Sequence, residues 1–229
     1  MSSTDLGLFW HAKGGAQDLG RGAAPTLQSR QGLSVTGAKL LIMTTQYYTA
    51  SSIDGFIADA DNSLSWLFQF SEPSGMEDEY PRFIAQAGAM AMGSTTYEWI
   101  AQHTGFLNDP SKWEYEIPTW VFSSRELPRV EGPDIRFVSG DVAPVHEEMR
   151  HCAEGRNIWL VGGGDLVGQF HDQGLLDEVI IGMASVTLGS GAPLLPRRIV
   201  TPPLKLLGVT AYGADFVTLR YAVRKASAL

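Results

Sequence analysis

Asn157-Ile158-Trp159-Leu160-Val161-Gly162-Gly163-Gly164-Asp165-Leu166-Val167-Gly168 is the stretch that decides the fold. An apolar run of strand character meets three consecutive glycines, and an amphipathic run follows with Leu166, Val167 and Phe170 at helical spacing. Glycine lacks Cβ, so the chain can turn sharply there and a ligand can approach the backbone closely. A helix starting behind such a turn presents free N–H groups and the positive end of its dipole. Phosphate and pyrophosphate groups suit that end. The stretch therefore predicts strand, glycine turn and helix, with a nucleotide site at the junction.

The same alternation extends to both sides. Strand patterns are expected at about 45–53, 55–59, 88–92, 118–123, 134–138, 157–161, 177–187, 204–212 and 215–223, and helical ones at about 76–87, 94–102, 142–153 and 164–174. Val142, Val145, Met149 and Cys152 make one apolar stripe in the third helix. Strands alternating with helices imply right-handed crossovers and parallel pairing. Leu204–Tyr212, then Gly213-Ala214-Asp215, then Phe216–Val223 reads instead as an antiparallel hairpin. The expected fold is α/β: one domain with a mostly parallel central sheet, a C-terminal antiparallel hairpin and flanking helices.

With 229 residues, 44% of them hydrophobic, the chain can bury a full core. A net charge of −8 and no basic stripe argue against nucleic acid as a partner. No apolar run reaches membrane-spanning length. Cys152 is the single cysteine, which fits a reducing cytoplasm, and the five histidines show no metal-ligand spacing. No metal is expected. Residues 1–39 contain seven glycines and no sustained period, and carry +2 of the charge, leaving −10 for the rest. Residues 1–42 read as a flexible extension, with Met43 as an alternative start of translation. A tail that folds on a partner is the other reading.

Three further segments share the grammar of strand followed by small or hydroxyl residues. In Ala50-Ser-Ser-Ile-Asp54-Gly55, the Asp-Gly pair marks a turn in a strand-like run, and Asp54 reads either as a turn aspartate or as a polar group at a site. In Gly93-Ser94-Thr95-Thr96-Tyr97-Glu98, Ser94 or Thr95 can cap a helix, with Glu98 closing a capping box on Thr95; an anion site is the other reading. Ser123-Ser124-Arg125 brings two hydroxyls and a guanidinium to the carboxyl end of a strand, where open α/β sheets bind ligands. Together these ends can clamp an extended dinucleotide.

The order and spacing of Ala50–Gly55, Trp66, Gly93–Tyr97, Ser123–Arg125 and Val161-Gly162-Gly163-Gly164-Asp165 resemble the dihydrofolate reductase-like superfamily. Within it the chain is most similar to the branch of the riboflavin biosynthesis reductase C-terminal domain, over about residues 43–223. The resemblance implies NADPH binding across the sheet edge. Gly93, Ser94, Thr95 and Thr96 would hold phosphate and ribose; Ser123, Ser124 and Arg125 would lie at the adenosine end. Val161, Gly162, Gly163, Gly164, Asp165 and Leu166 would cradle the pyrophosphate, with Ala50, Asp54 and Gly55 bordering the nicotinamide. Members are often homodimers. Many relatives carry Arg where this chain has Ser94, so preference for NADPH over NADH falls to Arg125.

A carboxylate on the first helix holds the pterin in dihydrofolate reductases, and counting back from Gly93 places it near Glu77, beside Asp78 and Glu79. The same acids also read as first-turn decoration of a helix. Trp66 is a candidate wall for a flat heterocycle, or a core residue. The reading that results is an NADPH-dependent cytoplasmic reductase of a pteridine- or pyrimidine-like C=N or C=O compound. The alternative is a sensor of the same fold that binds nucleotide without turnover. A Rossmann dehydrogenase fits less well, since Gly162, Gly164 and Gly168 give G-x-G-x-x-x-G. No G-x-S-x-G elbow supports a hydrolase.

Overall fold

Tyr47 and Tyr48 are neighbours in strand β1 (Thr45–Ser51), point to opposite faces, and are both buried. A strand covered on both sides belongs at the centre of a sheet. The computed structural model describes residues 43–70 and 76–225, so the extension read over residues 1–42 lies outside the described residues. Along the chain follow β2 (Phe56–Ala58), α1 (Glu79–Ile84), β3 (Ala87–Gly93), α2 (Ser94–Thr104), β4 (Thr119–Phe122) and β5 (Ile135–Val138). Then come α3 (Val142–Cys152), β6 (Asn157–Gly162), α4 (Gly164–Asp172), β7 (Glu178–Ala184), β8 (Ala192–Pro193), β9 (Lys205–Tyr212) and β10 (Phe216–Ala222).

The main sheet runs β5-β4-β3-β6-β1-β7-β10-β9. All neighbours from β5 to β7 pair in parallel, and β10 joins β7 and β9 antiparallel, closed by Gly213 at positive φ. This is the expected α/β architecture with its C-terminal hairpin. One face packs Tyr48, Met90, Met92 and Trp159 against Tyr80 of α1 and Tyr97 and Ile100 of α2. The other packs Tyr47, Ala91, Trp120 and Leu160 against Val145 and Met149 of α3 and Val167 and Phe170 of α4. At Gly88 a Cβ would lie 2.3 Å from the Ala153 carbonyl oxygen, so glycine there lets the end of α3 touch the sheet.

Two expectations needed adjustment. The helix predicted over 76–87 is confined to α1, with Pro81 in its first turn, where a missing N–H costs nothing. β2 falls within the strand expected over 55–59, but its partner β8 has no counterpart in the sequence pattern, because two residues are too few to show a period.

Candidate functional site

Register places the carboxyl ends of the parallel strands side by side. Gly93 stands opposite Phe122, Phe122 opposite Val138, and Met92 opposite Gly162. The pairing of β3 with β6 skips Val161, and this bulge turns that residue toward the edge. A cleft of about 600 Å³ runs along the edge from Ser139-Gly140 past Ser123, Ser94 and Gly163 to Ala50 and Tyr48. That volume lies within the usual range for small-molecule sites.

Two helices begin at this edge without a side-chain cap. Gly93 is the N-cap of α2 and Gly163 that of α4, whereas α3 is capped by Asp141, whose Oδ1 accepts from Ala143 N at 3.0 Å. A glycine N-cap leaves first-turn N–H groups for something else to satisfy. The three central glycines divide the work. Gly162 has φ 140°, a conformation that L side chains rarely adopt. A Cβ on Gly163 would meet nothing within 4 Å. A Cβ on Gly164 would lie 2.3 Å from Pro193 O and 2.4 Å from Leu194 O, so that glycine serves packing under the β8 strap. The strap is fastened by Leu194 N to Gly55 O at 2.9 Å and by the Tyr47 hydroxyl to Leu194 O at 3.1 Å.

The two ends of the cleft differ chemically. Ser123, Ser124, Ser139 and Gly140 line one; Tyr48, Leu64, Tyr80 and Trp159 line the other. The Trp159 indole Nε1 donates to Tyr48 O at 3.2 Å, and Tyr80 and Phe83 meet the ring edge-on. Burial holds the hydroxyls of Tyr48 and Tyr80 well above their ordinary pKa, the Glu79 carboxylate adding to the effect at Tyr48, so both stay protonated at neutral pH. Asp165 is the carboxylate on the cleft wall, and Arg197 engages it at 3.1 Å while its Nε holds Asp172 at 2.7 Å.

Residues 44–218 match the family described as the RibD C-terminal domain. The chain belongs to that family. Among its relatives is the uncharacterized protein YwjB of Bacillus subtilis, 29% identical over 177 residues, which cover 77% of this chain and 96% of that one. A candidate riboflavin biosynthesis protein from Shewanella sp. PV-4 superposes with a TM-score of 0.65 at 23% identity, covering 80% of this chain and all of that one. Enterococcus faecalis dihydrofolate reductase, solved with NADP(H), gives 0.50 at 12% identity over 80% and 97% of the two chains. The fold of this RibD-type domain is thus dihydrofolate reductase-like.

The cleft brings together Ala50, Gly93, Ser94, Thr95, Thr96, Ser123, Ser124, Val161, Gly162, Gly163, Gly164, Asp165 and Leu166. Five residues singled out from the sequence do not line it: Asp54, Gly55, Trp66, Glu77 and Arg125. Asp54 accepts from the Ser52 hydroxyl at 2.6 Å and from the backbone N–H of Leu188 and Gly189 at 3.1 and 2.7 Å. It staples two loops together, and these donors, Ser52 foremost, hold its carboxyl below the ordinary range. Gly55 makes the turn at φ 83°. Trp66 is buried in the core beside α1 and α2. Arg125 forks onto Glu98 at 3.0 and 2.8 Å and reaches Ser94 Oγ at 3.3 Å. Glu98 therefore closes no capping box.

Glu77 is likewise outside the cleft lining and exposed, and Asp78 pairs with Arg82 at 2.6 Å. The inward acid is Glu79, two residues on: its Oε2 accepts from Thr218 Oγ1 at 3.1 Å, and it lies near Tyr48 and Tyr212. Burial first, then Glu79, pushes the Tyr212 hydroxyl up to about 12. Sequence reading missed Ser139-Gly140, although β5 followed by Ser-Gly-Asp repeats the grammar of the other strand ends. It also missed Tyr48, Tyr80 and Trp159, which carry no local mark that separates them from core aromatics.

Proposed function

We propose that this protein is an NADPH-dependent reductase of a small heterocyclic C=N or C=O compound. The observation that carries the reading is the pair of uncapped helices whose glycine N-caps, Gly93 and Gly163, open on one cleft. Free N–H groups and helix dipoles there suit the pyrophosphate, with the hydroxyls of Ser94, Thr95 and Thr96 beside it. Ser123 and Ser124 would hold the adenosine end, with Arg125 and Ser94 at its 2′-phosphate. Ala50 and Thr49 would border the nicotinamide. Bound there, NADPH would supply the hydride for the substrate carbon, with water as the proton source for the heteroatom. Glu79, which does not line the cleft either but acts electrostatically on Tyr48, which does, would take the place of Glu77 as the carboxylate that orients substrate. The domain proposed for this work is residues 43–229.

Tryptophan fluorescence titration with NADPH and with NADH, followed by the loss of nicotinamide absorbance on adding substrate candidates, tests the reading. Micromolar NADPH binding with oxidation by a pteridine or aminopyrimidine supports it; no binding of either nucleotide refutes it. Neither Asp54 nor Glu77 borders the cleft, which favours a second reading as a nucleotide sensor; binding without oxidation would support that. A homodimer is also proposed. The edge strand β9 leaves Leu206, Leu207 and Val209 more than half exposed, and sedimentation would detect the pairing.

A further inference from the structure

Resting on the cofactor reading above, we propose that Arg197 is a positioning residue for the dinucleotide. It draws the Asp165 carboxylate back along α4 and offsets its charge, which frees the start of that helix for a phosphate. Among the described residues that line the cleft, Asp165 carries the one ionised side chain. It stands in the first turn of α4, two residues after the N-cap Gly163. An acid there favours the helix itself but repels an anion brought to the same N–H groups. Left unanswered, it would work against the phosphate seat on which the cofactor reading depends.

The side chains that hold Asp165 lie further along the helix. Gln169 Nε2 donates to its Oδ2 at 3.1 Å, and Arg197 Nη1 to its Oδ1 at 3.1 Å. Arg197 is itself fixed at the far end of α4, where its Nε donates to Asp172 Oδ2 at 2.7 Å. That guanidinium, foremost, holds the Asp172 carboxyl below its ordinary range. Between the two acids the guanidinium crosses Gly168. A Cβ on Gly168 would lie 2.5 Å from Arg197 Cζ and 2.7 Å from Nε. Glycine weakens a helix interior relative to alanine, and here it leaves the groove in which the guanidinium lies. Arg197 stands three residues beyond Leu194, where the strap is tied to Gly55 and Tyr47. The segment that packs on Gly164 therefore also delivers the cation. The Arg197 side chain is 22% exposed and that of Asp165 72%, so water screens the pair and its effect on a bound anion is severalfold rather than orders of magnitude.

A charge ladder on the full chain tests this. NADPH is titrated by tryptophan fluorescence, at low and at high salt, against the parent, Arg197→Met, Asp165→Asn and the double variant, with circular dichroism melts to confirm folding. At low salt Asp165→Asn should bind NADPH tighter than the parent, and Arg197→Met about three- to tenfold weaker. The double variant should recover to within about twofold of the parent, and high salt should compress the whole ladder. Gly168→Ala displaces the guanidinium without removing it and should weaken NADPH as Arg197→Met does. The atoms it displaces end a flexible side chain, so this variant, with and without Asp165→Asn, takes the place of Arg197→Met in the ladder if that chain does not fold. A loss that Asp165→Asn fails to restore, or that salt leaves unchanged, makes the arginine a clip for the strap alone and overturns the proposal. Parental affinity in Arg197→Met overturns it too, as does weaker binding by Asp165→Asn, which would make the carboxylate itself a contact of the nucleotide. A parent that binds neither NADPH nor NADH is a different result: it removes the cofactor reading, and the proposal falls with it.

Discussion

Two adjacent glycines should respond to the same methyl group in opposite ways. At Gly164, alanine would put its Cβ 2.3 and 2.4 Å from two backbone carbonyl oxygens of the β8 strap, where ordinary contact begins at 3.4 Å. The strap must then retreat by about 1 Å against its hydrogen bonds to Gly55 and Tyr47, which places the cost at the upper end of overpacking, about 3 kcal/mol. For a domain of this size that lowers Tm by roughly 6–12 °C. At Gly163 the backbone (φ −75°, ψ 174°) is open to any residue and a Cβ meets nothing within 4 Å. Gly163→Ala should leave stability within about 0.5 kcal/mol of the parent. Its methyl would instead occupy the space where a phosphate approaches the start of α4, and NADPH affinity should fall at least about tenfold, or 1.4 kcal/mol. Circular dichroism melts and fluorescence titrations of the two variants separate the effects. If Gly163→Ala binds NADPH like the parent, the cradle is not at that glycine. If Gly164→Ala melts like the parent, the strap does not press on α4 as described.

Arg125→Ala should weaken NADPH by about ten- to a hundredfold and leave NADH unchanged, since only NADPH presents a 2′-phosphate to the guanidinium. Glu98→Gln, which removes the competing carboxylate, should tighten NADPH; parallel titrations with the two nucleotides check both. Glu79→Gln should cut kcat by about 10²-fold or more while Glu77→Gln leaves it unaltered, and the reverse outcome in steady-state assays would return the role to Glu77. His146 is buried with Nε2 at 2.8 Å from Thr45 Oγ1, among Glu147, Arg150, Asp177 and Lys225, and burial lowers its pKa. Its neutral form belongs to the fold, so stability is full above the unfolded value of 6.5 and declines as pH falls through it, because the unfolded chain takes the proton first. Denaturant midpoints across that window should slope for the parent and flatten for His146→Gln.

The fold was legible wherever a long period was at stake. Val142, Val145 and Met149 did pack as one stripe, and the breaks at Gly93 and Gly162 did separate strand from helix. Lines of force that depend on distant partners were not. Glu98 satisfies the capping-box spacing, yet Arg125, which lies 27 residues away, offers a forked charge pair that a backbone N–H cannot match. Asp54 carries the mark of a turn residue, but the amides it fixes are at 188 and 189, beyond any local pattern. Glu77 and Glu79 differ by two positions across the start of α1, and the hairpin bearing Thr218 and Tyr212 is what distinguishes them. The glycine run looked like three equivalent residues; its division into a conformational, an open and a packed position rests on where the strap passes.

The central place of β1 has a consequence for the newborn chain. Its two neighbours in the sheet are β6 and β7, and the Thr44 side chain finds Asn157, 113 residues further on. During synthesis the strand that will floor the cleft must wait, with Tyr47 and Tyr48 uncovered, until those segments have left the ribosome. The run from β3 through α2, β4 and β5 to α3 can pair locally meanwhile. Closure of non-local parallel pairs is slow, and waiting apolar strands are prone to join the wrong partner. A ribosome-stalled chain ending before β7 should therefore need a chaperone to stay soluble, and the cleft should be among the last surfaces of the molecule to take shape.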